Sequence, residues 1–267
     1  MVKHWINQTS AEYGFLLKLI PLLLANLLLS TASSATDTDK GGDDWQQVAP
    51  PSYPLERKWV SSNEYPWRAI GRINLAGRGH CTGTLISENK VLTSAHCLWN
   101  KSTNRWFPAQ YITFVAGSEK ESYQAYANAT SYQVADQFFP DRLSDPESIK
   151  HDWALLELAK PLGKQLGYLP LADSTQIIAN KALIQTGYRA DRAFVLTVEK
   201  NCWIAKTYDN LKVAQTSCHT ISGDSGGPAL IRNQDNWFLI GIHRGRTANN
   251  KSLIVTSESF RKNITGQ

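Results

Sequence analysis

Ser225 stands in SCHTISGDSGGPAL, residues 217–230, where glycines, an aspartate, a histidine and further hydroxyls crowd in front of an apolar run, Pro228 to Ile231. A serine hydroxyl attacks a carbonyl only if a base with pKa near neutrality takes its proton, and that base needs a carboxylate to hold it. The oxyanion that forms needs backbone N–H donors. The glycines of GDSGGP permit a tight turn that exposes such donors, and the N–H groups of Gly223 and Ser225 are the candidates for an oxyanion hole. A base is available at His96 in VLTSAHC, after a short apolar run. A carboxylate is available at Asp152 in HDWALLEL, just before another. Taken singly, each reads as a solvated histidine or a turn aspartate. Taken together in the order His, Asp, Ser, they point to nucleophilic serine catalysis.

The same serine also matches G-x-S-x-G, the nucleophile elbow of a sheet-and-helix hydrolase. Its context excludes that fold. The elbow requires an acid and then a histidine downstream, spread over βα units. Only His243 follows, and no βα alternation precedes.

The elements that must position these residues are strands. Runs rich in β-formers recur at 69–75, 80–87, 90–95, 111–117, 153–158, 181–188, 192–199, 201–207, 211–218, 227–232, 237–243 and 252–257, most separated by Gly, Asn, Asp or Pro. Outside the N-terminal region no long helical periodicity occurs, and the absence of βα units argues against a parallel sheet. The pattern predicts an all-β chain, barrel or sandwich, with a short helix at Glu258 to Asn263. Its 267 residues suffice for one large domain or two small ones sharing a core.

Residues 1–35 read as a secretory signal peptide: Lys3 and His4, an apolar run from Phe15 to Leu29, then small residues, with cleavage after Ala32 or Ala35. The uninterrupted part, Leu19 to Leu29, is short for a span of about 20 apolar residues. Residues 36–58 form an acidic segment with prolines and glycines, a propeptide or linker. Export makes the cysteines legible, since an oxidising compartment favours pairing. Cys81, Cys97, Cys202 and Cys218 allow three connectivities. The local one, Cys81–Cys97 with Cys202–Cys218, closes two loops of similar size, each contributing about 3 kcal/mol on the chain-entropy account. Without C-x-x-C or histidines at ligand spacing, no metal site is expected. The chain carries a formal charge of +5, but its basic residues are scattered, which argues against a nucleic-acid partner.

LTSAHC, HDWALL and GDSGGP resemble the three catalytic blocks of the chymotrypsin-like (trypsin-like) serine proteases, and YPWRAIGRI with CTGTLIS resembles the start of their first barrel. The resemblance spans about residues 59–260. It implies two six-stranded antiparallel β-barrels with the active site between them, barrel 1 at about 59–165 and barrel 2 at about 166–257, then a C-terminal tail at 258–267. It makes His96 the general base, Asp152 its orienting partner and Ser225 the nucleophile. It matches Cys81–Cys97 to the disulfide of the histidine loop, whereas Cys202–Cys218 departs from the usual position nearer the serine. It implies a secreted zymogen (extracellular or periplasmic) that acts as a monomer on peptide or protein substrates, with no cofactor and no stable membrane association after signal cleavage.

The resemblance extends to specificity. Trypsins carry an aspartate six residues before the serine; here that position is His219, which does not favour cleavage after Lys or Arg. IGIHRG, 240–245, instead resembles the pocket strand of bacterial glutamyl endopeptidases, whose pocket also uses a Thr or Ser at the position of Thr220. His219, Thr220, His243, Arg244 and Gly245 are therefore expected around the substrate, with His243 and Thr220 donating to a substrate carboxylate and Arg244 and Arg246 adding positive potential. Asp224 resembles the aspartate that pairs with a freed N-terminus in trypsins. The nearest candidate cut lies after Arg57 or Lys58, which predicts a mature chain beginning at Lys58 or Trp59. Two rival readings are a non-catalytic homologue serving as a secreted binding protein and a trypsin-like protease of other specificity.

Overall fold

The computed structural model describes residues 57–248 and 250–266. The expected signal peptide lies outside the described residues, as does the acidic segment apart from Arg57 and Lys58.

A three-residue strand, β1 (Arg57–Trp59), comes first. Next come β2 (Ile70–Leu75), β3 (His80–Leu85) and β4 (Lys90–Thr93), then a small hairpin of β5 (Trp99–Asn100) and β6 (Arg105–Trp106), then β7 (Ile112–Ala116), β8 (Ala125–Val134) and β9 (Ala154–Leu158). Hairpin aside, β2 to β9 close into an antiparallel barrel in the order β2-β3-β4-β9-β8-β7. Strand β7 shows why: Ile112, Phe114 and Ala116 are buried and alternate with less buried neighbours, the period-2 signature of a strand with one wet face.

The second barrel uses β10 (Ala182–Gly187), β11 (Thr197–Tyr208), β12 (Val213–His219), β13 (Pro228–Asn233), β14 (Asn236–Arg246) and β15 (Lys251–Thr256). They run β11-β10-β13-β14-β15-β12, and the β11–β12 pairing closes the ring. β1 adds outside, with Arg57, Lys58 and Trp59 opposite Glu199, Val198 and Thr197. Two antiparallel six-stranded barrels result, as the resemblance implied.

One buried apolar cluster runs through the first barrel and continues into Leu230, Leu239, Ile242, Val255 and Phe260 of the second half; another fills the second barrel around Leu183, Ile204, Ile231 and Ile254. Trp153, next to Asp152, is fully buried and lies 6.2 Å ring to ring from Phe260 on the C-terminal helix α3, below. Short helices α1 (Pro146–Ile149) and α2 (Leu162–Leu166) flank β9, and α3 (Ser257–Thr265) contains the helix expected at Glu258 to Asn263.

Besides the short β1, β5 and β6, two barrel strands differ from the sequence reading. β8 was not expected, because its buried residues are the small Ala127 and Ala129 in a polar run, AYANATSYQV. The expected runs 192–199 and 201–207 form one strand, β11, starting only at Thr197. Asn201, at φ +63°, absorbs the irregularity between them.

Candidate active site

β4 ends at Thr93, and a single 3-10 turn, Ala95–Leu98, carries His96. The Cys81–Cys97 disulfide ties that turn to β3, so the histidine backbone has two anchors. Asp152, wholly buried, caps the start of β9. Its Oδ2 lies 2.7 Å from His96 Nδ1, and its Oδ1 accepts the His96 backbone N–H at 2.9 Å. The carboxylate therefore fixes both the ring and the turn, and selects the tautomer with Nδ1–H, which leaves Nε2 as the free acceptor.

Ser225 comes from the second barrel and is pinned to the first. Its carbonyl accepts the Thr82 N–H at 2.9 Å, and Thr82 Oγ1 donates to Gly223 O at 2.8 Å. Thr93 Oγ1 donates to Thr82 O and Ser94 Oγ to His243 O, at 2.8 and 2.7 Å, so β3 and the start of the His96 turn grip the Ser225 segment and β14 together. The approach is closer than a side chain permits: a Cβ on Gly226, at φ +77°, would lie 2.1 Å from Thr93 Oγ1. At Gly223, φ +90°, it would lie 2.3 Å from Tyr188 O. The N–H groups of Gly223 and Ser225 donate to nothing among the described residues. The Ser225 hydroxyl makes no hydrogen bond to His96. Cys97, next to His96, has its Sγ 3.9 Å from Ser225 O. Catalytic hydrogen bonds often tighten only once substrate is seated.

The structure separates the five residues expected around the substrate. His243, fully buried on β14, has Nδ1 2.9 Å from Ser252 Oγ, and its Nε2 has no partner. Behind it a polar row runs through the second barrel. Thr216 Oγ1 donates to Gln185 Oε1 at 3.1 Å, and Gln185 Nε2 donates to Ser252 Oγ at 3.3 Å. Continued in the same direction, the row has the Ser252 hydroxyl donating to His243 Nδ1. The ring proton then sits on Nε2. Burial pushes the His243 pKa down to about 4, with Asp224 opposing and Arg57 reinforcing the fall. His243 is thus a neutral N–H donor at neutral pH.

Arg244, its neighbour on the strand, turns instead to the His96 side. Its Nε approaches Asp152 Oδ2 at 3.4 Å, too poorly aligned for a hydrogen bond, and Nε and Nη2 are buried without partners. Gly245 borders open space. Thr220 donates its hydroxyl to Asp224 Oδ2 at 3.2 Å, so that group is engaged within the chain. His219 is half exposed and lies on Glu199, Nδ1 to Oε1 3.3 Å.

Asp224, expected to pair with a freed N-terminus, has a cation from within the full chain. Its partner is the guanidinium of Arg57. Sequence reasoning missed this role of Arg57, and missed Thr82, Gln185, Glu199 and Ser252. A weak signal existed: Gln185 and Glu199 are polar residues inside otherwise apolar strand runs, and buried polar groups need partners. The Cys202–Cys218 disulfide forms as well and ties β11 to the β12 end that precedes the nucleophile segment.

Residues 58–262 match the family model described as Trypsin. The glutamyl endopeptidase of Bacillus licheniformis is 25% identical over 212 residues, which is 75% of this chain and 63% of the relative. The serine protease SP24D of Anopheles gambiae is 30% identical over 179 residues, 61% of this chain and 60% of the relative. The chain thus spans less than two thirds of the length of either. A solved Glu endopeptidase superimposes with a TM-score of 0.65 at 23% identity, covering 79% of this chain and 97% of that one, a likeness of fold.

Proposed function

Because the chain belongs to the trypsin family, we propose that it is a secreted serine endopeptidase that works through an acyl-enzyme on Ser225 and prefers Glu or Asp before the cut. The observation that carries the reading is the buried Asp152 holding both the ring and the backbone of His96, with the Ser225 carbonyl bonded to Thr82 on the strand that Cys81–Cys97 ties to the same turn. His96 Nε2 takes the Ser225 proton as Oγ attacks the substrate carbonyl. The Gly223 and Ser225 N–H groups receive the oxyanion. His96 then returns the proton to the leaving amine, and the acyl group stays on Ser225. Water, deprotonated by His96, attacks the ester and releases the acid with Ser225 restored.

The acidic preference rests on two groups. His243 Nε2–H is a buried donor without an acceptor, and such a group is costly to leave unmade. Arg244 has buried N–H groups equally without partners. Each lacks an acceptor of the kind that a substrate carboxylate offers. Secretion is supported by the two disulfides and by the N-terminal sequence pattern. Among the described residues no helix is long and apolar enough to cross a membrane.

A fluorophosphonate probe should label Ser225 of the folded chain. Peptides varied at the residue before the cut should be cleaved fastest with Glu or Asp. Absence of labelling would leave the non-catalytic binding protein; preference for Lys would leave a protease of other specificity.

A further inference from the structure

Arg57 occupies an unusual place for a residue at the start of a three-residue outer strand. Arginine is normally solvated there. Its side chain is instead only 8% exposed and sits between two buried carboxylates. Nη2 pairs with Asp224 Oδ1, and Nη1 lies 3.8 Å from Glu199 Oε2. Nε donates to Thr197 Oγ1 at 2.9 Å, and Nη1 reaches His219 O at 3.5 Å. The backbone of β1 holds the residue in register, with Arg57 opposite Glu199. Every polar face of the guanidinium is used.

The anion it serves is the one that shapes the site. Asp224 Oδ2 accepts the Ile221 N–H at 3.1 Å and the Thr220 hydroxyl at 3.2 Å, which curls residues 220–224 around the carboxylate. The next residue is Ser225, and the residue before is Gly223, so this curl orients both amides assigned to the oxyanion. Without a cation, Asp224 and Glu199 would be two buried like charges. Burial lowers the Arg57 pKa from its ordinary value, and Asp224 and Glu199 oppose that fall.

We propose that Arg57 is the resident counter-ion of Asp224, a positioning residue that sets the Gly223 and Ser225 amides without any newly freed N-terminus, so that the active enzyme retains Arg57. This rests on the reading of Ser225 as nucleophile. It moves the permissible processing point upstream: a cut after Arg57 would cast off the cation, and a cut before it would not.

The test uses the full secreted chain with Arg57→Gln and Arg57→Lys variants, alongside N-terminal sequencing of the active wild type. Arg57→Gln should lower kcat about 10²- to 10³-fold with KM little changed, as losing an oxyanion donor does. Arg57→Lys should recover part of that loss, since a cation returns without the planar fork. Added guanidinium ion should raise the activity of Arg57→Gln and not of the wild type. The active wild type should begin at or before Arg57. Folded Arg57→Gln with wild-type kcat would overturn the proposal, as would a fully active enzyme beginning at Lys58 or later. The sequencing decides even if Arg57→Gln does not fold. Wild type that fails to label at Ser225 sinks the protease reading and this inference with it; wild type that labels beside an unimpaired Arg57→Gln sinks this inference alone.

Discussion

His243 makes the fold's stability depend on pH in a defined window. Its pKa falls from 6.5 in the unfolded chain to about 4 in the fold, with burial as the main cause. Between those values the unfolded chain binds a proton that the folded chain refuses. Acid therefore draws the equilibrium toward unfolding: the contribution is fully present above about pH 6.5, declines as pH falls, and is lost once pH passes below about 4. A difference of that size corresponds to about 3 kcal/mol, a large part of ordinary domain stability. The experiment compares Ser225→Ala, which prevents self-digestion, with Ser225→Ala/His243→Gln. Urea unfolding is followed by tryptophan fluorescence at several pH values across the window. Other titrating groups are common to both chains, so the comparison isolates His243. The parent should lose about 3 kcal/mol more than the double variant between neutral pH and pH of about 4. Two stability curves that run parallel across the window, whatever their vertical offset, would show that His243 carries no such linkage.

Further outcomes test the site. Asp152→Asn should lower kcat by about 10⁴-fold while the chain still folds, because the amide turns the His96 ring to the wrong tautomer; kinetics on a good peptide substrate and a thermal melt measure both. Ser252→Ala removes the donor to His243 Nδ1, and should cut kcat/KM for glutamyl peptides by about 10-fold while peptides with a neutral residue before the cut change little. A uniform loss would assign Ser252 a purely structural role. Gly226→Ala drives a methyl into Thr93 Oγ1 and Thr82 O at a positive φ, and should destabilise the chain by more than about 3 kcal/mol, read as failure to secrete soluble protein.

Much of the architecture is legible from local pattern. The strands that alternate β-branched and aromatic residues with polar ones, such as YITFVAG, are where they were expected. β8 is not legible, since Ala127 and Ala129 are too small to signal an inward face and only pairing with β7 and β9 holds the segment extended. RAFVL, apolar enough for a strand, forms turns instead. At the site, His96 and Asp152 are legible as a pair by type and order. Thr82 is not, because a threonine in a strand carries no mark of the carbonyl it will meet on another barrel.

What the sequence determined by itself was the chemistry on offer: a serine among glycines, a histidine and an aspartate in order, and cysteines in an even number. These are local features, set by residue type and near spacing, and they survive without any knowledge of contacts. Which charged and polar groups meet is settled by folding. Arg57 reads in sequence as a processing site, yet 167 residues separate it from the Asp224 it neutralises. The row Thr216–Gln185–Ser252–His243 likewise gathers three strands around one imidazole. Such partners are chosen by barrel closure, which brings distant strands within hydrogen-bond reach and removes the water that would otherwise satisfy each group alone.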